Sequence, residues 1–461
     1  MPNGKKPSSG NGGNFTTDLA EKQVHFVGIG GVSMASLADL ALTFGAQISG
    51  SDRHLGERTH RLVAKGVEIY AGHSSDNVKD NTDLVVYSSA IPEDNPELLR
   101  AVEMGIPALS RAEFLGDLMI NYDRRIGISG THGKSTVTAM LDRIFTLAGK
   151  DPTTLAGEDL PNSSSALRAG GKETMIYEAC EYKDSFLSFS PSIAVFLNME
   201  LDHTDYFIDE AALSRSFCSA MERADRVIVN RDDESLFCAA LKSEKHVISF
   251  GVSENADYRY EIISIKARDM RFKLFMRGEE LGEVRLSMLG HFNISNAVAA
   301  LAAAIESGID FKLAAKSLSE FTGIERRLEK IGKYKGRGLY FDYAHHPTEI
   351  SASIKAIRSV GAGEVTVVFR PHTYSRTKSL WENFKRALSE ADSVIILDID
   401  AVREKRIAGV SSEALAREIN GIYCHSEAEL EHILDETVGD IILMGAGELE
   451  KIKKHLTKGE R

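Results

Sequence analysis

Two rhythms of apolar residues alternate along this chain. Short apolar runs at residues 23–28, 47–52, 67–70 and 83–87 read as strands, and Leu37, Leu40, Ala41 and Phe44 recur between the first two at helical spacing. A helix is expected over 112–120, and the polar stretch 121–125 closes a first region. The pattern resumes with an apolar-periodic helix over 137–147 and strands at 176–178, 193–198 and 226–230. Alternation with short polar breaks from 258 to 286 predicts antiparallel strands at one edge, and an alanine-rich helix is expected over 297–305. A third series has strands at 338–342, 365–369, 393–398 and 441–445, with Pro347 at a helix start. Strands alternating with helices predict an α/β protein with doubly wound sheets. The length of 461 residues suits about three domains. The breaks in pattern set them at 21–122, 123–324 and 325–461, after a disordered tail at 1–20 that is rich in Gly, Ser, Asn and Lys.

Composition narrows the classes. Hydrophobic residues at 43% against charged residues at 26% give the balance of a soluble globular protein with ample core. The net charge of -12 lacks the electrostatic footprint of a nucleic-acid binder. The four cysteines, Cys180, Cys218, Cys238 and Cys424, have no Cys-x-x-Cys spacing, which points to neither a zinc site nor a disulfide framework. The tail has no apolar stretch of the signal-peptide kind, and no uncharged apolar run approaches a membrane span. A cytoplasmic location is expected.

The strand exits carry the candidate chemistry. Gly28-Ile-Gly30-Gly31-Val-Ser33 follows the first strand, with Ser33 where a dinucleotide fingerprint has its third glycine. The second strand ends in Asp52, which could accept a ribose hydroxyl or cap its own turn; an NAD site and a UDP site are both open. Ser88 and Ser89 make a hydroxyl-rich turn after a further strand, where ligands of open α/β sheets lie. Gly130-Thr-His-Gly-Lys-Ser-Thr136 stands between a strand and a helix. Backbone N–H groups and the helix dipole there favour phosphate, Lys134 adds a charge on the phosphates, and the Ser135 hydroxyl suits Mg²⁺. Two residues stand between its two glycines, fewer than the four of the usual phosphate loop. Glu178 and His203 stand at strand ends beside this cradle and suit a magnesium site; for Asp202 and Asp205 surface solvation is as good a reading. Asn293 and Asn296 lie three apart on one helical face and could read an adenine edge, or Asn293 could be the N-cap. The third region gathers His345, His346, His372 and Arg376 at strand exits.

These stretches resemble the Mur ligases of peptidoglycan synthesis. The resemblance rests on His25-Phe-Val-Gly-Ile-Gly-Gly31, Gly130-Thr-His-Gly-Lys-Ser-Thr136, Glu178-Ala-Cys-Glu181, Asn198-Met-Glu-Leu-Asp-His203, Arg326-Arg327, Asp342-Tyr-Ala-His-His-Pro-Thr-Glu349 and Pro371-His-Thr-Tyr-Ser-Arg-Thr377, in that order over nearly the whole chain after the tail. It implies an N-terminal Rossmann-like UDP-binding domain, a central P-loop-type ATPase α/β domain with an antiparallel edge, and a C-terminal Rossmann-like domain. The short phosphate loop is the family's own form.

The resemblance also implies the reaction and its partners. ATP and Mg²⁺ would drive ligation of L-alanine to the lactyl carboxylate of UDP-N-acetylmuramate through an acyl phosphate, in a monomer or homodimer. UDP-sugar contacts would come from Gly28, Gly30, Gly31, Asp52 and Ser88. ATP would meet Gly130, Thr131, His132, Gly133, Lys134, Ser135, Thr136, Asn293, Asn296, Arg327 and Asp342. Catalysis would fall to Lys134, Glu178, His203 and Arg327, with Ser135, Glu178 and His203 on the metal. His345, His372 and Arg376 would meet the amino acid, with Arg376 as a fork on its carboxylate, and His345, His346 and Glu349 are candidate bases for the amine. Phe341 stands where a second aspartate is common, and Arg370, where glutamine is common, would add a charge beside the amino-acid site. A ligase for another amino acid or a recycled tripeptide, an NAD-dependent oxidoreductase and a catalytically silent relative are the alternative expectations.

Overall fold

A computed structural model describes residues 18–457 apart from 162, 164, 267, 361–362, 403 and 448. The tail expected at 1–20 lies outside the described residues up to 17. Leu19, at its end, is buried in the core, where the backbone of Glu21 joins Gly45.

Three sheets succeed one another along the chain. In the first, Glu68–Ala71, Gln47–Asp52, Gln23–Val27, Leu84–Tyr87 and Ala108–Ser110 lie side by side, all parallel. The second has ten strands. Its parallel centre runs through Thr174–Glu178, Arg124–Ser129, Ile193–Phe196, Arg226–Asn230 and His246–Gly251. The edge made by Tyr258–Lys266, Asp269–Met276 and Glu279–Leu286 is antiparallel, as the alternating sequence requires. The third sheet has six strands, parallel except for Glu329–Tyr334 against Arg337–Asp342. The strand centres Val365–Phe369 and Asp440–Met444 are almost wholly buried, because helices cover both faces.

Element starts differ from the sequence pattern in two places that matter. The helix after the phosphate loop begins at Lys134, not near 137, because Gly133 takes a left-handed turn (φ +88°) and releases the backbone directly into the helix. The alanine-rich helix begins at Phe292, so Asn293 and Asn296 sit inside it and Asn293 is no N-cap; its amide instead donates to the Leu289 carbonyl at 2.7 Å. The short strands Thr153–Leu155, Leu167–Arg168, Ala108–Ser110 and Ile422–Tyr423 carry too few residues for periodicity to reveal.

The units are packed together rather than strung out. Phe114, Leu115 and Leu118 on helix Arg111–Leu118 share one core with Tyr177, Phe186 and Phe189 of the second unit. That helix lies so close to the next unit that a Cβ on Gly116 would come within 2.2 Å of the Ser188 carbonyl oxygen. Among the described residues no helix is long and apolar enough to cross a membrane.

Candidate functional site

The phosphate loop is braced from beneath. Strand Ile193–Phe196 exits beside it, and the Asn198 side chain accepts from the His132 N–H at 2.7 Å while donating to the His132 carbonyl at 3.0 Å. Thr131 exchanges two hydrogen bonds with the Glu200 backbone, at 2.9 and 3.0 Å. A side chain at Gly130 (φ +138°) would be strained and tightly packed, since a Cβ would meet Leu197 and Asn198 at 3.0–3.1 Å. Lys134 folds back to donate to the Gly130 carbonyl and reaches Glu181 at 3.2 Å. Burial disfavours its charge, yet Glu181, Cys180 and Glu178 outweigh burial and hold the ammonium above its usual range. Glu181, a buried acid in the Glu178-Ala-Cys-Glu181 stretch to which the motif assigns no role, is thus the resting partner of the phosphate-loop lysine. Its signal was its place three residues after Glu178.

The residues read as metal ligands fall into two parts. Ser135 hydrogen-bonds to Glu178, whose other partner is the Gly157 N–H at 2.6 Å. Burial raises the Glu178 carboxyl, and neither Gly157, Lys134 nor Ser135 fully offsets it, so this hydroxyl–carboxylate pair is short of positive charge and suits a hard dication. His203 Nε2 lies 3.9 Å from the Glu181 carboxylate, with its ring on Tyr182. Burial lowers its pKa and leaves a neutral imidazole.

Arg327, Asp342, Asn293, Asn296, His132 and Gly133 converge around one cavity of about 270 Å³ between the second and third units. Asn296 donates to Asn293 at 2.9 Å. Arg327 bridges Glu158 at 3.0 Å and Glu349 at 3.6 Å. Burial pushes the Asp342 carboxyl up to about 6, although Ser353 donates to it and Arg327 is near. Phe341, at the position noted for a missing aspartate, is buried with the Arg326 guanidinium 5.6 Å from its ring.

A second cavity, of about 350 Å³, lies where all three units meet. Ser89 and Ala90 come from the first, Tyr182, Asp202 and His203 from the second, His372 and Arg376 from the third. Lys183 also donates to the Ser89 carbonyl at 3.0 Å. Here the structure decides what the sequence left open for Asp202. Asp202 is a buried acid, not a solvated one: it accepts two hydrogen bonds from Arg376, both at 2.9 Å, and is held well below the usual carboxylate range despite burial. The Arg376 fork expected on the amino acid is therefore already filled by Asp202, and its remaining nitrogen donates to His372 Nδ1 at 3.1 Å. Among the described lining residues Arg370 does not figure; its stem runs against Gly447.

The candidate bases are weakened as well. Burial drives His345 down to about 3, and its Nδ1 donates to the Tyr343 carbonyl at 2.9 Å. Burial also lowers His346. Glu349 accepts from the His345 backbone N–H at 3.0 Å and faces His132 at 3.1 Å, and these cations and donors hold it well below its ordinary range against the effect of burial.

In the first unit, Gly28 (φ +84°) makes the turn and its N–H donates to the Ser51 carbonyl at 2.8 Å. Asp52 caps its own turn: its two oxygens accept from the Gly30 and His54 N–H groups, each at 2.9 Å. Ser88 caps Ala90 in the same way at 3.3 Å. A cavity of about 310 Å³ beside Gly30 is lined by His54, Arg58 and Arg61, basic residues the glycine motif gave no reason to single out.

Comparison with known proteins gives the arrangement its context. Residues 23–123 match the family described as Mur ligase family, catalytic domain; 128–304 match the Mur ligase middle domain; 326–447 match the Mur ligase, glutamate ligase domain. The UDP-N-acetylmuramate–L-alanine ligase of Clostridium novyi is 40% identical over 450 residues, covering 95% of this chain and 98% of the relative. That of Acetivibrio thermocellus is 39% identical, covering 95% and 96%. The structure of UDP-N-acetylmuramate-alanine ligase MurC from Thermotoga maritima superposes with a TM-score of 0.79 at 25% identity, covering 95% of this chain and 98% of that one. A murein peptide ligase from Psychrobacter arcticus shares the fold, with a TM-score of 0.70 at 24% identity over 95% and 98%. With three matched segments in order and relatives of this similarity over almost the full length, the chain belongs to the Mur ligase family.

Proposed function

We propose that this chain joins L-alanine to the lactyl carboxylate of UDP-N-acetylmuramate at the expense of ATP, in the synthesis of peptidoglycan precursors. The observation that carries the reading is the cavity formed jointly by Ser89, His203 and His372, one from each unit. Such a place suits a reaction with three substrates. Residues 21–122 take the UDP-sugar, 123–324 take ATP, and 325–461 bring the amino acid. The name shared by relatives near 40% identity supports the same choice. The oxidoreductase alternative leaves the phosphate loop and the acids around it without a purpose. The enzyme works in the cytoplasm.

A carboxylate is a poor electrophile and must first be activated. Its oxygen attacks the γ-phosphorus of ATP and ADP leaves; the amine then attacks the acyl carbon and phosphate leaves. Two anions have to approach in the first step, so the cations Lys134 and Arg327 lie where charge develops. Lys134 exchanges Glu181 for phosphate oxygens when ATP enters. Arg327, reaching across from the third unit, meets the phosphates, Asp342 the ribose, and Asn293 and Asn296 the adenine. Ser135, Glu178 and the neutral His203 would hold Mg²⁺, which supplies charge neutralisation for the phosphoryl group. Enclosure by three units excludes water from the acyl phosphate. Arg376, held in place by Asp202, orients His372 toward the amino acid.

Phosphate release from ATP and UDP-N-acetylmuramate, measured with alanine, glycine, serine and the tripeptide in turn, tests the reading. Alanine is expected to give the highest kcat/KM, and hydroxylamine to trap a hydroxamate when it is withheld. Turnover with the tripeptide alone would move the chain to the murein peptide ligases, and no turnover with any acceptor would reject it.

A further inference from the structure

Three residues that the proposed reaction leaves without a joint task converge at the seam between the second and third units. His132 comes from the phosphate loop, Glu200 from the segment after strand Ile193–Phe196, and His346 from the turn before helix Pro347–Arg358. One oxygen of Glu200 lies 3.4 Å from His132 Nε2 and 3.4 Å from His346 Nδ1. Two ligands bound about 2.0–2.1 Å from a tetrahedral ion stand roughly 3.4 Å apart, which is this spacing. One ligand atom from each of the three residues falls within a 4.8 Å group, and the imidazole centroids are 4.8 Å apart.

The surroundings are those of a ligand set. His346 is 4% exposed; its Nδ1, the nitrogen that faces Glu200, also accepts weakly from the Thr348 N–H at 3.4 Å, while its Nε2 and the Nε2 of His132 have no hydrogen-bond partner. Buried imidazole nitrogens are rarely left so. His132 turns its other nitrogen to Glu349 at 3.1 Å, the carboxylate–histidine arrangement that fixes a ligating ring. Thr348 donates to Glu200 at 2.6 Å and holds its carboxylate in place. The backbone of His132 is pinned on both sides by Asn198.

We infer that His132, Glu200 and His346 bind a borderline divalent cation of the zinc, cobalt or nickel class, which pins the third unit to the phosphate loop. Two imidazoles with one carboxylate select such ions over magnesium, whose preference is for oxygen. Three protein ligands leave a fourth position for water. The ion adds a tie between two units that also meet through the Arg327–Glu158 and Arg376–Asp202 ion pairs.

Cobalt(II) serves as the probe, added to the chelator-treated full chain in excess magnesium, without nucleotide or substrate. One equivalent is expected to bind with the intense visible bands of four-coordinate cobalt, and equimolar zinc to displace it. His346→Gln and Glu200→Gln should each weaken binding at least tenfold, with folding checked by circular dichroism. Both variants keep all four cysteines, so binding that persists unchanged in both belongs to thiols and overturns the proposal. Failure of wild-type protein to take up one equivalent does the same. Ligase turnover in magnesium alone is measured separately: a chain that ligates but binds no cobalt refutes only this inference, and one that binds cobalt but does not ligate refutes only the proposed function.

Discussion

Replacing Glu97 by glutamine tests how the first unit holds its glycine turn. Glu97 is fully buried and accepts from Asn77 at 2.6 Å, Ser51 at 2.7 Å and His73 at 2.9 Å, with His25 Nε2 3.6 Å away. Burial alone would raise its pKa, but these groups outweigh it and bring the carboxyl from 4.5 to about 2. A folded-state pKa below the unfolded one contributes stability that is complete above about pH 4.5 and is lost as pH falls toward 2. The difference of about 2.5 units, at about 1.36 kcal/mol each, amounts to roughly 3 kcal/mol. Glutamine keeps the shape and removes the charge, and its amide hydrogens then face other donors. At pH 7 the first unit should lose roughly 3 kcal/mol, which for a unit of about 100 residues lowers its melting point by more than about 10 °C. Because Ser51 also receives the Gly28 and Ile29 N–H groups, the KM for the UDP-sugar should rise while that for ATP stays level. Thermal scans from pH 7 to pH 2 and hydrogen exchange of strand Gln23–Val27 read the effect. A variant as stable as wild type at pH 7, or with the wild-type loss of stability below pH 4.5, would refute the reasoning.

Two further substitutions probe the reacting centre. Asp202→Asn leaves the buried Arg376 without a counter-charge, a change that costs about 3–5 kcal/mol for a buried pair. It should raise the KM for the amino acid far above any change for ATP, and a double-mutant cycle with Arg376→Ala should show coupling above about 1.5 kcal/mol; additive effects would contradict a shared role. Gly133→Ala places a Cβ 2.6 Å from Asn296 Oδ1 at a left-handed backbone angle. Strain of about 1–2 kcal/mol should appear as a roughly tenfold rise in the KM for ATP, and an unchanged value would show that the loop relaxes freely.

Much of the architecture was legible before any coordinates. Each central strand is a short apolar run ending at a polar exit, and that pattern depends only on local periodicity and burial on both faces. The antiparallel edge from 258 to 286 was legible for the same reason, because its residues alternate. The phosphate loop could be read because glycines and a lysine at a strand–helix junction do their work through the local backbone. Elements of two or three residues, such as Leu167–Arg168, were not, since so short a strand has no period.

The sequence by itself determined the elements, the order of the three units and the family, because motifs of a few adjacent residues carry them. Only the tertiary structure decided who faces whom. Asp202 and Arg376 are 174 positions apart, yet they form one buried pair. Glu181 meets Lys134 across 47 positions, and Glu200 meets His346 across 146 (346 − 200). Charge pairing of this kind depends on distance and burial in space, and neither quantity is written in the spacing of residues along a chain.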